Sequence, residues 1–344
     1  MRIAIIDEGI DRSKLKYPQR VVKQITWDGQ PFTDNVNGRH ATCCACILED
    51  YAAGYELVDI RIAENWNHSV SIKKMAAALE LCIKEHIDII CLSIGTTFLS
   101  DGTILTPLIK KLSVLKIKMV SALSNKGYMT LPAAYENVIC AVQDWKGQLA
   151  PGECRRFFHS ILGEVVVANT RLHSFTESWE GNSFASPVAA AHLIKYPDKA
   201  FPTAGTFDKY QSAASNDNPV VAYISSDIHY EASIIMDYLL EADNLESVAI
   251  IEHACTDDIR IITPKNDIAS RPFMIEEADK CVDCSLIFSL YNWNDTLDDY
   301  AYDITVLSYE KRVVIRTDDA KSLVINKNLD WKKQLCHTLV ELLN

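Results

Sequence analysis

Residues 181 to 187 read Gly-Asn-Ser-Phe-Ala-Ser-Pro and lie directly before an apolar stretch, Val188 to Ile194. This pattern predicts a loop that turns into a buried helix. A helix begins with free N–H groups and the positive end of its dipole, and both favour negative charge on a nearby oxygen. Pro187 suits the first turn, because its missing N–H costs nothing there. The stretch therefore predicts that the hydroxyl of Ser183 lies at a helix N-terminus.

A serine hydroxyl in that position can act as a nucleophile if a base and an orienting carboxylate accompany it, and the chain supplies both. Residues 2–10 form a buried-strand pattern that places Asp7 at the end of a strand. His40 stands where a loop runs into a small, apolar helical stretch. Another strand pattern, Lys118 to Leu123, ends just before Asn125, whose side-chain amide is suited to holding an oxyanion.

These blocks, in the order Asp, His, Asn and Ser, resemble the subtilisin-like serine peptidases. Residues 7–9 read Asp-Glu-Gly and match the Asp-x-Gly of that family. Residues 181–187 match its Gly-Thr-Ser-Met-Ala-Ser-Pro except at Asn182 and Phe184. Four blocks in the family order make coincidence a poor explanation. The resemblance covers residues 1–197 and implies an α/β fold, with a mostly parallel sheet flanked by helices.

Four positions of the family pattern carry other residues here. Three lie around the histidine and one precedes the asparagine, namely Ala41, Cys43, Cys46 and Ser124. Ala41 and Ser124 add a Cβ atom where the family has glycine, which strains a loop if its φ is positive. A second interpretation therefore stays open, in which the protein is a pseudopeptidase that binds peptides as a scaffold without cleaving them.

The resemblance implies a role for each of the four polar residues. Asp7 orients His40, which takes the proton of Ser183 as the hydroxyl attacks a peptide carbonyl. Asn125 and the backbone N–H of Ser183 hold the oxyanion that forms. The expected activity is that of a serine endopeptidase, with a dedicated precursor or leader peptide as one candidate substrate.

Substrate binding is implied for four further residues. Ser93, Ile94 and Gly95 resemble the strand beside which an extended peptide pairs, so a peptide or unfolded protein is the expected partner. Lys126 corresponds to a position near the rim of the primary pocket in the family. As a pocket residue it would favour an acidic or polar side chain before the scissile bond over Lys or Arg. As an ordinary surface lysine it would set no preference.

The composition bears on partners and compartment. A net charge of −12 disfavours nucleic acid and anionic membranes as main partners, and no apolar run approaches the length of a bilayer. Eleven cysteines without the spacing of a small disulfide-rich domain favour free thiols. Because Asp7 follows Met1 closely, we also expect neither a signal peptide nor a propeptide. We therefore expect a cytoplasmic protein.

No cofactor and no metal are expected. The chain has no Gly-rich loop that would hold a phosphate. Few residues separate His40 from the next strand pattern, Leu57 to Ile62, where many secreted relatives carry a calcium loop. Cys281 and Cys284 have the spacing of a metal or dithiol pair, but no second pair stands near them. Cys44 matches a buried cysteine of thiol-dependent family members, and packing is its expected role.

The chain is too long for one minimal peptidase domain. Residues 198–218 are rich in Ala, Ser, Asp and Pro and are predicted to form a linker. Residues 219–344 predict a smaller α/β domain with a mixed sheet, in which homo-oligomer contact, substrate recruitment and packing are the candidate roles. The predicted elements are strands at 219–225, 247–253, 259–263, 285–291, 303–307 and 312–316 and helices at 230–241 and 330–343, with a hairpin at 308–311. The first strand, the first helix and the second strand are predicted to form a βαβ unit.

Overall fold

The structure, a computed structural model, describes residues 1–32, 39–63, 70–171, 180–204, 216–252, 256–265, 270–298, 300–317 and 321–343. The chain divides into two compact units. The first comprises Met1–Thr97 and Asp101–Ser212, and the second comprises Phe98–Ser100 and Ala213–Asn344. The main boundary lies inside the segment 198–218, and the linker role of that segment stays a prediction.

Among the described residues, the first unit contains one eight-stranded sheet. Its strands are β1 (Arg2–Asp7), β2 (Val21–Thr26), β3 (Glu56–Arg61), β4 (Ile89–Leu92), β5 (Lys118–Ala122), β6 (Ile139–Gln143), β7 (Cys154–His159) and β8 (Gly163–Ala168). Their order across the sheet is β2-β3-β1-β4-β5-β6-β8-β7. All neighbours are parallel except β7, which runs antiparallel to β8.

Four helices accompany this sheet in the described part of the unit. They are α1 (Arg39–Tyr51), α2 (Ile72–Lys84), α3 (Gly102–Val114) and α4 (Ala185–Lys195). Helices α1 and α4 share one apolar core with the sheet, and small residues such as Ala45 and Ala189 allow close packing there. The predicted helix at 188–194 and the helix that follows His40 are both confirmed.

Parallel order brings the carboxyl ends of the central strands to one edge of the sheet. Strand β1 ends at Asp7, and its neighbour β4 is followed by Ser93. The next strand, β5, leads into Ser124 and Asn125. The loops that carry the predicted site residues therefore start side by side.

The second unit contains a seven-stranded mixed sheet within the described residues. Its strands are β9 (Val220–Ser225), β10 (Ser247–Ile250), β11 (Ile261–Ile262), β12 (Leu286–Tyr291), β13 (Ile304–Ser308), β14 (Arg312–Thr317) and β15 (Ser322–Asn326). The order is β11-β10-β12-β9-β13-β14-β15, and only the pairs β13–β14 and β14–β15 are antiparallel. The described residues of this unit also form helices α5 (Ile228–Asp243), α6 (Arg271–Cys281) and α7 (Trp331–Leu343). The predicted fold class is thus confirmed for both sheets.

The predicted βαβ unit of the second domain is confirmed, because β9 and β10 are parallel and joined by α5. Strand β12 lies between them in the sheet. The predicted second strand, 247–253, extends to His253, which lies outside the described residues. Helix α6 and strand β15 were not predicted. The signal for α6 is present, since the buried Met274, Ile275 and Ala278 recur at helical spacing.

The predicted hairpin at 308–311 is confirmed, because Ser308 pairs with Val313 across β13 and β14.

None of the described helices combines the length and the apolar character that a membrane span requires.

Candidate active site

Three of the predicted residues form a continuous chain of side-chain contacts. The Nδ1 atom of His40 lies 2.7 Å from Oδ2 of Asp7, and its Nε2 atom lies 2.9 Å from Oγ of Ser183. The other carboxylate oxygen of Asp7 accepts the backbone N–H of Glu8 over 2.8 Å. Both oxygens of Asp7 are therefore engaged, which fixes the carboxylate against the imidazole. This is the geometry that a serine needs to lose its proton to a histidine.

The local backbone explains how Ser183 reaches His40. Ser183 lies in a short 3-10 turn, Asn182–Phe184, that leads directly into α4. The Ser93 hydroxyl donates to the backbone oxygen of Ser183 over 2.8 Å and so ties this turn to the segment after β4. The ring of Phe184 lies against the imidazole, with the centroids 4.9 Å apart. The predicted helix N-terminus is thus one turn of 3-10 helix followed by α4.

The protonation of His40 is set by opposing influences. Burial disfavours the charged imidazole and acts to lower its pKa, but the charge and hydrogen bond of Asp7, with the charge of Glu8, raise it more. The net result is a pKa of His40 above its ordinary value. The two carboxylates therefore favour the imidazolium, which is the form that a general base reaches after it accepts a proton.

Glu8 is a residue of this site that the sequence analysis missed. Its side chain is buried, and its Oε1 accepts the backbone N–H of His40 over 2.6 Å. In the sequence it is only the variable residue between Asp7 and Gly9. A large acidic residue there, in a stretch expected to be buried, is the signal that could have identified it.

Asn125 is held by the residue that precedes Ser183. Its Oδ1 accepts the backbone N–H of Asn182 over 2.7 Å, which leaves the amide nitrogen as the end of the side chain available to a substrate oxygen. Asn182 in turn donates through Nδ2 to the backbone oxygen of Ser124 over 2.7 Å. Its own Oδ1 accepts the backbone N–H of Gln143 over 2.9 Å. The asparagine that replaces the family threonine therefore clamps the Asn125 loop.

Gly181 occupies the space between Asn125 and Ser183. Its φ is +139°, and a Cβ atom there would lie 3.3 Å from Nδ2 of Asn125 and 3.4 Å from Oγ of Ser183. Because L side chains rarely adopt this φ, glycine is needed for the turn. Both functional atoms thus face the same small space.

Two of the departures from the family pattern produce no backbone strain. Ala41 lies within α1, and neither Ala41 nor Ser124 has a positive φ. Ser124 instead donates its N–H to the hydroxyl of Thr130 over 2.7 Å. The added Cβ atoms are therefore accommodated.

The predicted substrate-binding residues lie on the segments that follow neighbouring strands. Ser93 and Ile94 are half-buried and Gly95 is exposed, directly after β4. Lys126 is exposed in the loop after β5. At the next position along, Thr96 exchanges backbone hydrogen bonds of 3.0 and 2.8 Å with Leu131. The segment Ser93–Gly95 is therefore followed directly by an isolated antiparallel bridge.

Cys44, on α1 close to the site, is a buried free thiol. Asp7, His40 and Cys44 each offer a ligand atom within 4.8 Å of the other two. Burial, reinforced by the charge of Asp7, raises the pKa of Cys44 well above its ordinary value, which favours the neutral thiol. Its Sγ lies 3.5 Å from the hydroxyl of Ser93.

Burial also raises the pKa of the Cys281 and Cys284 thiols. Among the described residues, no cluster of potential metal ligands includes either of them. The cysteines in the described part of the chain are all free thiols.

Comparison with known proteins gives matches at the level of structure. No protein-family model matches the sequence. No curated protein matches it either. The structure of a lanthipeptide protease matches 58% of this chain and 76% of its own, at 13% identity and a TM-score of 0.44. The epidermin leader peptide processing serine protease EpiP from Staphylococcus aureus matches 58% of this chain and 67% of its own, at 15% identity and a TM-score of 0.40. Sphericase matches 58% of this chain and 78% of its own, at 16% identity and a TM-score of 0.43. These structural neighbours are subtilisin-like proteases.

Proposed function

We propose that this protein is a serine endopeptidase that cleaves extended peptides with an Asp7–His40–Ser183 triad. One observation carries the proposal, namely the continuous contacts of 2.7 and 2.9 Å that join the carboxylate, the imidazole and the serine hydroxyl. A serine is activated when a base within hydrogen-bond reach is itself oriented by a third group. A serine that only caps a helix needs neither the base nor the group that orients it.

The proposed reaction has two halves, formation of an acyl-enzyme and its hydrolysis, and the same groups act in both. Oγ of Ser183 attacks the peptide carbonyl carbon and passes its proton to Nε2 of His40, while Asp7 stabilises the imidazolium. The oxyanion accepts hydrogen bonds from Nδ2 of Asn125 and the backbone N–H of Ser183, and the side-chain donor contributes about 3 kcal/mol. Collapse breaks the C–N bond, and His40 returns the proton to the leaving amine. Water then releases the acyl group by the same route.

An extended peptide is the proposed substrate. Ser93, Ile94 and Gly95 would pair with its backbone as a neighbouring strand, which gives affinity without fixing the sequence. Restricted specificity, for a precursor or leader peptide, would spare other proteins of the host cell. We place the protein in the cytoplasm, because a reducing compartment suits free cysteines.

The alternative of a non-catalytic peptide scaffold has less support. It depended on strain at Ala41 and Ser124, and neither residue has a positive φ. For the second unit we propose a role in recruitment or in homo-oligomer contact.

Peptide cleavage tests this function. The purified protein is incubated with a proteome-derived peptide library, and new termini are read by mass spectrometry. We expect cleavages that disappear in Ser183→Ala and persist in Ser13→Ala, which removes an exposed hydroxyl bonded only locally to Asp11. Cleavage that survives in Ser183→Ala, or none by the folded wild-type protein, would contradict the proposal.

A further inference from the structure

Glu8 lies beside the triad without belonging to it. Its side chain is 1% exposed, and its Oε1 accepts the backbone N–H of His40 over 2.6 Å. This N–H belongs to the first turn of α1, where backbone donors have no partner within the helix. A carboxylate is favoured there by the helix dipole as well. Glu8 therefore fixes the backbone of the residue whose side chain is the proposed base.

No ion pair to Glu8 is found among the described residues. The guanidinium of Arg39, the residue before His40, opposes the charges of Glu8 and Asp7 at the neighbouring Cys43 thiol. In the described part of the chain, the groups found next to the His40 ring are Asp7 at the end of β1, Glu8 in the following turn, Ser183 with the Phe184 ring, and the thiol of Cys44 on α1. Two of these groups are carboxylates, and the others carry no positive charge. The field at the imidazole is therefore negative from the β1 side.

We propose that Glu8 is a positioning residue for His40, which it holds by the backbone N–H while its carboxylate stabilises the protonated imidazole. The inference deepens the proposed function, because an imidazolium forms in each half-reaction. It also has a consequence for pH. A second carboxylate favours the imidazolium before reaction as well as during it, so the neutral base is populated only at higher pH.

The direction in which the surroundings shift the His40 pKa agrees with this role. Burial acts to lower it, and Asp7 is the largest of the groups that raise it, with Glu8 adding in the same direction. Glu8→Gln would keep an oxygen that accepts the N–H of His40 but would remove the charge. This substitution therefore separates the electrostatic role from the structural one.

The experiment is an NMR titration of the histidine ring carbons in the full-length protein, with His40 assigned by its absence in His40→Ala. We expect Glu8→Gln to shift the titration of His40 to lower pH. The matched control is Glu49→Gln, which changes a carboxylate on α1 that likewise accepts backbone N–H groups, those of Lys16 and Tyr17, both over 2.8 Å. This control is expected to leave the pH at which His40 titrates unchanged. No shift in Glu8→Gln, or an equal shift in Glu49→Gln, would overturn the proposal.

Glu8→Asp is the second variant, and it provides the test if Glu8→Gln does not fold. It keeps the charge and shortens the side chain, so we expect His40 to titrate close to the pH at which it titrates in the wild type. A fall to the ordinary value would count against the electrostatic role. The titration does not depend on peptide cleavage, so it can fail while Ser183 remains reactive, and it can succeed in a protein that cleaves nothing.

If Ser183 reacts with a fluorophosphonate, the pH dependence gives a further readout. Glu8→Gln should label faster than the wild type at acid pH, because more of its His40 is neutral there. A defect in folding alone would slow labelling at every pH. Slower labelling across the whole range would therefore contradict the role proposed for the charge.

Discussion

The backbone N–H of Asn182 donates to the side-chain oxygen of Asn125 over 2.7 Å, so the residue before Ser183 holds the proposed oxyanion donor. The same residue also contacts Ser124 and Gln143 through its side chain. The nucleophile turn and the oxyanion loop, which are distant in sequence, are thus one hydrogen-bonded unit. Preorganisation of this kind is what makes an oxyanion donor effective.

Removal of the oxyanion donor should affect turnover more than binding. We expect Asn125→Ala to lower kcat roughly 10²-fold to 10³-fold with little change in KM. Asn182→Ala keeps the backbone N–H but loses two orienting side-chain contacts, so a drop of about tenfold is expected. Steady-state kinetics on a cleaved peptide provide the measurement.

Asn169→Ala is the control for these two variants. Asn169 is a buried asparagine that bonds to Leu149 and Arg171, outside the site. Its loss should reduce stability and leave kcat unchanged. A kcat of Asn125→Ala within about twofold of the wild type would contradict the assignment of the donor.

The reactivity of Ser183 should rise with pH, because neutral His40 is the base. Burial opposes the charged imidazole, but Asp7 and then Glu8 raise its pKa above the ordinary value. The midpoint of the labelling rate should therefore lie above the pKa of an ordinary histidine, about 6.5. The same shift stabilises the fold below the unfolded pKa and loses this effect as pH rises through the folded one. A midpoint below the ordinary value would be inconsistent with this site.

Asp59 provides a prediction about stability. It is fully buried on β3, where its Oδ2 accepts the backbone N–H of Ile10 over 2.8 Å and the amide of Gln24 over 2.9 Å. Its Oδ1 has no hydrogen-bond partner. Burial, with a smaller contribution from Asp7, raises the pKa of Asp59 to about 7.

A raised carboxyl pKa means that the folded state holds the proton more tightly, so stability falls as pH rises from about 4 to about 7. The loss is on the order of 4 kcal/mol. Asp59→Asn should remove this dependence and gain stability relative to the wild type over that range. Urea unfolding at several pH values measures the difference. The control is Asp88→Asn, at an exposed carboxylate that accepts the N–H of Arg2. We expect no such gain in stability there. A gain of equal size in Asp88→Asn would contradict the role assigned to the burial of Asp59.

Gly95 should not tolerate a side chain. A Cβ atom there would lie 2.7 Å from Cγ2 of Thr130 and 2.8 Å from the backbone oxygen of Leu131. We expect Gly95→Ala to destabilise the protein by about 1–3 kcal/mol and to raise KM for peptides, since the segment that pairs with substrate must move. Thr130→Ser in the same background removes Cγ2 but keeps the hydroxyl that binds Ser124. It should restore only part of the loss, and full tolerance of Gly95→Ala would contradict this model of the groove.

Lys126 should influence which peptides are cut if it lies at the rim of the pocket. We expect Lys126→Glu to weaken cleavage after acidic residues by about twofold to fivefold, as suits an exposed charge pair. A peptide library read for the residue before the scissile bond gives the answer. Cleavage chiefly after Arg or Lys by the wild-type protein would be evidence against this role.

Much of the site could be predicted from local patterns. Strands that end at Asp7 and before Asn125 are evident from apolar runs, and the carboxyl ends of parallel strands meet at one edge. The turn at Ser183 is marked by glycine, small residues and proline. Each of these features is encoded within a few neighbouring residues, so it can be predicted without knowledge of the fold.

The contacts that support the site could not be predicted in the same way. The bond from Glu8 to the backbone of His40 and the three bonds of Asn182 depend on which loops the fold brings together. Asp59 could have been noticed as a charge inside an apolar strand pattern, but its partners Ile10 and Gln24 belong to other parts of the chain. Polar partners of this kind are specified by tertiary packing rather than by periodicity.

The most direct test of the central claim is the reaction of the folded protein with a fluorophosphonate, with the adduct located by mass spectrometry. Only an activated serine reacts quickly with this reagent. We predict one adduct, on Ser183, that is lost in Ser183→Ala and strongly slowed in His40→Ala. An adduct at another serine, or none in protein whose fold is verified by circular dichroism, would contradict the claim that Ser183 is an activated nucleophile.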